Sequence, residues 1–178
     1  MVRRRFGHLP ARSGLVLLVL TSAIGCDQAT KDFASQTLKA APPISLLGDV
    51  VRFQYAENTG AIMSFGADLP PAVRTWLFTA GVGLFLAALL VYALAKSELG
   101  RASVAGLSLV LGGGVGNLID RVMNAGAVVD FVTIGWGWFR TAIFNMADLL
   151  IFVGAGLLLW EAYRKGGQPR LRRGETRA

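Results

Sequence analysis

Three aspartates, Asp120, Asp130 and Asp148, lie in the second half of the chain, each inside or beside an apolar stretch. Two carboxylates brought together in a poorly solvated site cannot both stay ionised. One pKa rises, and the pair shares a proton near neutral pH. Such a pair contains one base and one acid. The base takes a proton from water as the water attacks a peptide carbonyl, and the acid protonates first the carbonyl oxygen and later the leaving amine. His8, the only histidine, falls on the cytoplasmic side of the topology derived below, and Cys26, the only cysteine, has no base partner, so neither a Ser–His nor a Cys–His arrangement is plausible. No metal-ligand cluster and no cofactor are expected from such a set. If the chain is an enzyme, an aspartyl hydrolase fits these residues. The plainer alternative is a set of structural ion pairs. Arg121 follows Asp120 directly, which favours a structural role for that carboxylate; Asp130 and Asp148 have no adjacent cation in the sequence.

These side chains must be positioned by apolar elements. Thr141 to Trp160 is a run of twenty residues whose one ionisable side chain is Asp148. At about 1.5 Å per residue it is long enough to cross a hydrocarbon layer of about 30 Å as a helix. A carboxylate there costs about 2.5 kcal/mol or more at the centre of an inserting helix, so it must face protein or water. Asn145 and Asp148 are three apart and project from one face of that helix. With the helix starting at Thr141, Asp148 would lie about 10 Å below its end.

The whole composition agrees. Of the 178 residues, 53% are hydrophobic and 16% charged, and the mean hydropathy is +0.52. That is too apolar for an ordinary soluble domain. Trp76 to Ala95 is a second span, free of charge. Ala102 to Ile119 is a third, carrying Gly112-Gly113-Gly114 and Gly116, where another backbone can approach closely. Asn117, Asp120 and Arg121 fall on one polar face at its end. The first apolar stretch, Gly14 to Gly25, is short. Read as a helix over about 14–33 it continues through Asp27 and Lys31, which can pair four residues apart. Read as a signal peptide it would end at Ala23-Ile24-Gly25-Cys26, which approximates a lipobox, and the chain would be a lipoprotein precursor cut at Cys26. The three later spans favour the uncleaved helix.

Between the first two spans the character changes. Pro42-Pro43 breaks any helix. Ile44–Leu47, Val50–Tyr55 and Ala61–Phe65 are short and strand-compatible, with turns at Gly48-Asp49 and Asn58-Thr59-Gly60. A small sheet over about 42–67, lying on the membrane surface, is expected. Met123 to Arg140 reads as a loop containing Val128-Val129-Asp130-Phe131, with Trp136 and Trp138 as interface anchors.

Four spans put both termini on one side. Twelve of the 18 lysines and arginines fall on that side and six on the other, which places the termini in the cytoplasm. The sheet and the three aspartates then face outside. The net charge of +7 resides largely in tails beside apolar segments, so it fits membrane topology rather than nucleic-acid binding. Residues 1–163 are expected to form a single membrane domain, and 164–178 a basic, disordered cytoplasmic tail.

Five blocks carry a resemblance. They are Asp27-Gln28-Ala29-Thr30-Lys31, Asn58-Thr59-Gly60-Ala61, Gly112 to Arg121, Val128-Val129-Asp130-Phe131, and Phe144-Asn145-Met146-Ala147-Asp148. In this order and spacing the chain resembles the bacterial lipoprotein signal peptidases (signal peptidase II) from about residue 14 to 163. The resemblance implies an integral membrane α-helical fold, with four transmembrane helices and a small extracytoplasmic β-cradle, in the bacterial inner membrane. It implies an aspartyl endopeptidase that cuts a diacylglyceryl-modified prolipoprotein before its lipidated cysteine and is a target of the cyclic peptide globomycin. Asp130 and Asp148 correspond to the catalytic pair. Asp27, Asn58, Gly60, Asn117, Asp120, Arg121, Asn145 and Ala147 fall on positions that bind substrate or support the site. Ala61-Ile62-Met63 departs from the Ala-Ala-aromatic sequence common there. The expected partners are prolipoprotein substrates and membrane lipids, with the chain acting as a monomer. The rival function is a small multi-pass proton-relay or transport protein, since intramembrane aspartates also relay protons.

Overall fold

A computed structural model describes residues 9–60, 66 and 68–166. The expected strand at 61–65 and the tail beyond 166 lie outside the described residues. Helix α1 spans Leu9–Leu38 and passes through Cys26 without a break, so the chain does not turn away at the lipobox-like tetrapeptide. Pro42-Pro43 follows its end, where no helix can continue. Strand β1 (Ile44–Leu46) and strand β2 (Val51–Asn58) then form an antiparallel hairpin. Its turn takes three consecutive residues to positive φ, Leu47, Gly48 and Asp49. Only the glycine does so without steric cost.

The second rod runs over Pro71–Ala95. Pro71 sits at the start of α2 (Pro71–Thr75), where its missing N–H costs nothing. A π-turn over Trp76–Gly81 follows and leads into α3 (Val82–Ala95). Helix α4 (Arg101–Met123) is central and packs against α1, α3 and the last helix. Its glycines explain how. A Cβ on Gly112 would strike the Cβ of Ala23 on α1, and one on Gly114 would lie 2.6 Å from Leu86 on α3. Without a hydrophobic drive between helices in lipid, such close approach is what holds them together. Leu86, Ala93, Leu107 and Leu111 form the buried core between α3 and α4.

The segment after α4 is not a loop. Strand β3 (Val128–Trp136) and strand β4 (Phe139–Arg140) complete a four-stranded antiparallel sheet in the order β1-β2-β3-β4. Val128 to Phe131 are all buried, and the ladder pairs Asn58 with Val128 and Ala56 with Asp130. A β-branched run with one face on the helices forms a strand wherever a partner edge is free, and β2 supplies that edge. Phe131 packs with Ala34 and Leu38, seating the sheet on the end of α1.

Helix α5 spans Met146–Gly166, five residues later than the apolar run suggests. Thr141 to Phe144 are extended instead, since Thr141 N–H donates to Ile134 O and Phe144 N–H to Val132 O. Asp148 is therefore in the first turn of α5, not about 10 Å down the helix. All four rods are long and apolar enough to cross a membrane.

Candidate active site

The start of α5 is built by two of the candidate residues. Asn145 Oδ1 accepts the N–H of Asp148 at 3.0 Å, and Asp148 Oδ2 accepts the N–H of Asn145 at 3.2 Å. This is a reciprocal capping box, satisfying two backbone donors that a helix end otherwise leaves open. It also fixes the Asp148 carboxylate at the mouth of the helix, on the side where the macrodipole favours negative charge.

Asn145 reaches further. Its Nδ2 donates to Asp130 Oδ1 at 2.6 Å and to Asn117 Oδ1 at 3.1 Å. Asn117 in turn donates from Nδ2 to Asp148 Oδ1 at 3.0 Å. The other oxygen of Asp130 accepts Asn58 Nδ2 at 3.1 Å, across the β2–β3 ladder. Each oxygen of Asp130 and Asp148 thus receives a donor, with carboxylate lone pairs left for a further partner. Asp130 is 3% exposed, whereas Asp148 is only part-buried and opens to the surface. Burial first, and the charge of Asp148 second, push the Asp130 carboxyl up to about 6.

A second layer lies beneath. Asp27 Oδ1 accepts the N–H of Ala147 at 2.8 Å, and Asp120 Oδ2 accepts that of Val129 at 3.0 Å. Lys31 bridges the two carboxylates, at 2.8 Å from Asp27 and 3.0 Å from Asp120. Gln28 Nε2 also donates to both of them. Gly116 must be glycine here, because a Cβ would strike Asp27 Oδ2. The ion pair expected between Asp120 and its neighbour Arg121 is replaced by one to Lys31. Successive helical residues point about 100° apart, and Arg121 faces the other way. Its Nη2 donates to Gly60 O at 3.0 Å and its Nη1 to Asn117 O at 3.3 Å. The guanidinium also lies 5.9 Å from the ring of Phe78, which the π-turn carries inward. Gly60 N–H donates to Asn58 Oδ1, closing the turn after β2.

Asp27, Asn58, Gly60, Asn117, Asp120, Arg121, Asn145 and Ala147 therefore join Asp130 and Asp148 in one connected network. Lys31, Gln28 and Phe78 belong to it as well, three residues to which spacing in the sequence assigns no site role. For Lys31 and Gln28 the available signal was polar side chains on a helix apolar enough to be a span. Phe78 had none. Among the described residues no group of acidic, histidine or cysteine side chains could hold a metal ion.

A profile of the family described as Signal peptidase (SPase) II matches residues 19–164. The chain belongs to the signal peptidase II family. Relatives named lipoprotein signal peptidase match over most of its length. That of Syntrophotalea carbinolica is 36% identical over 157 residues, covering 88% of this chain and 95% of the relative. That of Pseudomonas aeruginosa is 40% identical over 163 residues, covering 90% and 91%. A solved bacterial membrane enzyme shares the fold with a TM-score of 0.76 at 24% identity, over 92% of this chain and 95% of that one. As a signal peptidase II family member with four apolar rods, the chain is a multi-pass membrane protein.

Proposed function

We propose that this chain is an aspartyl endopeptidase that removes the signal peptide from diacylglyceryl-modified prolipoproteins, cutting before the lipidated cysteine. The observation that carries the reading is Asn145, whose side chain holds Asp130 while its backbone holds Asp148. Two carboxylates bound to one residue are a pair that can share a proton and act on one water. Family membership supports peptide-bond hydrolysis, and the relatives' name supports a lipoprotein precursor as substrate.

Asp148, the more open of the two, takes the proton from the attacking water. Asp130 holds the shared proton and donates it to the carbonyl oxygen; its raised pKa supports that role. When the tetrahedral intermediate collapses, a carboxyl returns a proton to the leaving amine. The amides of Asn58, Asn117 and Asn145 keep both carboxylates in place throughout, so little reorganisation accompanies the reaction.

The enzyme resides in the bacterial inner membrane with both termini in the cytoplasm, and the site opens to the outer leaflet. A substrate whose acyl chains stay in the bilayer keeps its scissile bond near that surface. Membrane lipids surround the rods, and one chain supplies the whole network, so it works as a monomer. A proton relay calls for ionisable groups strung through the membrane's depth. Here the buried ones among the described residues, Asp27, Lys31, Asp120 and Asp130, gather in one cluster.

The test is cleavage of a diacylglyceryl-modified prolipoprotein by purified protein in lipid, with the unlipidated precursor as control. Wild type should cut the lipidated substrate alone, and folded Asp130→Asn and Asp148→Asn should each lose activity by about a thousandfold or more. Near-normal turnover by either variant would remove that residue from the pair.

A further inference from the structure

Lys31 is a buried cation, 3% exposed, in a helix that faces lipid. It forms no ion pair with Asp130 or Asp148. Two of its donors serve Asp27 and Asp120. The third goes to Asn117 Oδ1 at 2.8 Å. An ammonium has three donors and no acceptor, so all three are spent.

That third bond has a directional effect. Because Lys31 can only donate, Asn117 must offer it the amide oxygen. The Asn117 amide nitrogen is thereby turned toward Asp148 Oδ1. The same oxygen accepts Asn145 Nδ2, which fixes the second amide too, with its nitrogen on Asp130 and its oxygen on the Asp148 N–H. Rotating either amide by a half-turn would set N–H groups against the ammonium or against each other. The orientation of two neutral side chains, and hence the donors seen by both aspartates, follows from one charge on α1.

We propose that Lys31 is a positioning residue for the reaction, acting through Asn117 and Asn145 to present N–H donors to both aspartates, and that its charge sets the pH window in which the pair works. The proposal rests on the reading of Asp130 and Asp148 as the catalytic pair. The charged groups gathered around the pair are Lys31 and Asp27 from α1, Asp120 and Arg121 from α4, Asp130 from β3 and Asp148 from α5. Lys31 acts on Asp130 through its charge, favouring the ionised carboxylate. Removing a cation makes neighbouring carboxylates harder to ionise, so both limbs of the pH–rate profile move to higher pH.

The experiment is the pH profile of kcat/KM, with kcat and KM at the optimum, for wild type, Lys31→Met and Lys31→Arg on the lipidated substrate. For Lys31→Met we expect kcat to fall by about tenfold or more, KM to change by less than about twofold, and the acid limb to rise by about half a pH unit or more. Lys31→Arg keeps the charge and should keep the limbs at their wild-type positions, even where its rate is lower. A Lys31→Met profile that is lower but superimposes on wild type in shape would overturn the proposal, because a structural residue does just that. So would a rise in KM with kcat unchanged. If Lys31→Met does not fold, Lys31→Met with Asp120→Asn keeps the net charge of the Asp27–Lys31–Asp120 cluster; kcat should then fall by about tenfold or more with KM little changed, because Asn117 loses its donor, while the limbs stay near their wild-type positions, and a wild-type kcat would overturn the proposal. Failure of both to fold would assign Lys31 to the fold alone and overturn the proposal. Asp130→Asn and Asp148→Asn run in the same assay separate the two readings. If they remain active the pair itself is wrong, whereas if they fail and the Lys31 profile does not move, the pair stands and the role of Lys31 falls.

Discussion

Asp27 on α1 accepts the backbone N–H of Ala147 on α5 at 2.8 Å, one residue before Asp148. Asp120 does the same for Val129, one residue before Asp130. Each proposed catalytic aspartate is thus held by the chain position preceding it, and each hold is a buried carboxylate. Lys31 joins the two holds. The proposed catalytic pair is braced from the backbone side by a second, buried pair.

Asp27→Ala should therefore behave as a stability variant as much as an activity variant. It leaves Lys31 short of one carboxylate and Ala147 N–H without its acceptor, all in a buried setting. Removing one partner of a buried ion pair costs about 3–5 kcal/mol. A clear fall in melting temperature in detergent is expected, along with lost cleavage. An unchanged melting temperature would show that Asp27 carries no such strain.

Asn145→Ala removes a helix cap, worth about 1 kcal/mol, and frees both aspartates at once. We expect a modest loss of stability and a fall in kcat of about a hundredfold or more. The measurement is kcat and melting temperature on the same preparation. A large stability loss with nearly normal kcat would mean that Asn145 serves α5 and not the pair.

How far this was legible in the sequence depends on the element. Trp76 to Ala95 could be read as a span because no charge interrupts it. The start of α5 could not, because Thr141 to Phe144 are as apolar as the helix that follows, and hydropathy does not distinguish an extended segment from a helical one. What stops the helix is the Asn145–Asp148 box, whose residues, three apart, fit one face of a longer helix equally well. Strand β3 was hidden differently. Its run of Val, Phe, Thr and Ile is strand-like, yet pairing to β2 joins residues as far apart as Asn58 and Val128. The residues of the motif blocks lie in one hydrogen-bonded network. The place of Lys31 did not follow from them, because Asn117 and Asp120 lie on another helix far along the chain.

The Asp130 pKa gives a stability prediction with a definite sign. It is raised from 3.8 to about 6, first by burial and then by the Asp148 charge. The folded chain then holds this proton more tightly than the unfolded chain. Between about pH 4 and pH 6 stability falls as pH rises, and above that the penalty is complete, on the order of 2–3 kcal/mol. Asp130→Asn removes this titration. Its melting temperature relative to wild type should rise from about pH 4 to about pH 6 and then level off, and a difference that stays flat throughout would show that Asp130 is not perturbed.

Gly116→Ala tests the close approach of α4 to α1. The new methyl would meet Oδ2 of the Asp27 carboxylate, which cannot move without disturbing the Oδ2 pair with Lys31 and the Oδ1 bond from Ala147 N–H. Overpacking of this kind costs about 1–3 kcal/mol, and here it displaces the brace of Asp148, so kcat should drop as well. Gly25→Ala on α1 is the control: nothing lies within 4 Å of its Cβ position, and a helical alanine should be neutral or slightly stabilising. Equal behaviour of the two variants would count against the tight α1–α4 contact.

The i, i+4 pairing of Asp27 with Lys31 also bears on how the protein is made. During synthesis α1 emerges well before α4, so for that interval Asp27 and Lys31 have no interhelical partner. Each carries the counter-charge of the other on the same helix face, so α1 can enter the bilayer as an electrically neutral segment. The arrival of α4 then adds Asp120 to an existing ion pair rather than rescuing a bare charge from lipid. The order in which the chain is translated is thus compatible with a polar centre whose Asp27, Lys31 and Asp120 end up buried together.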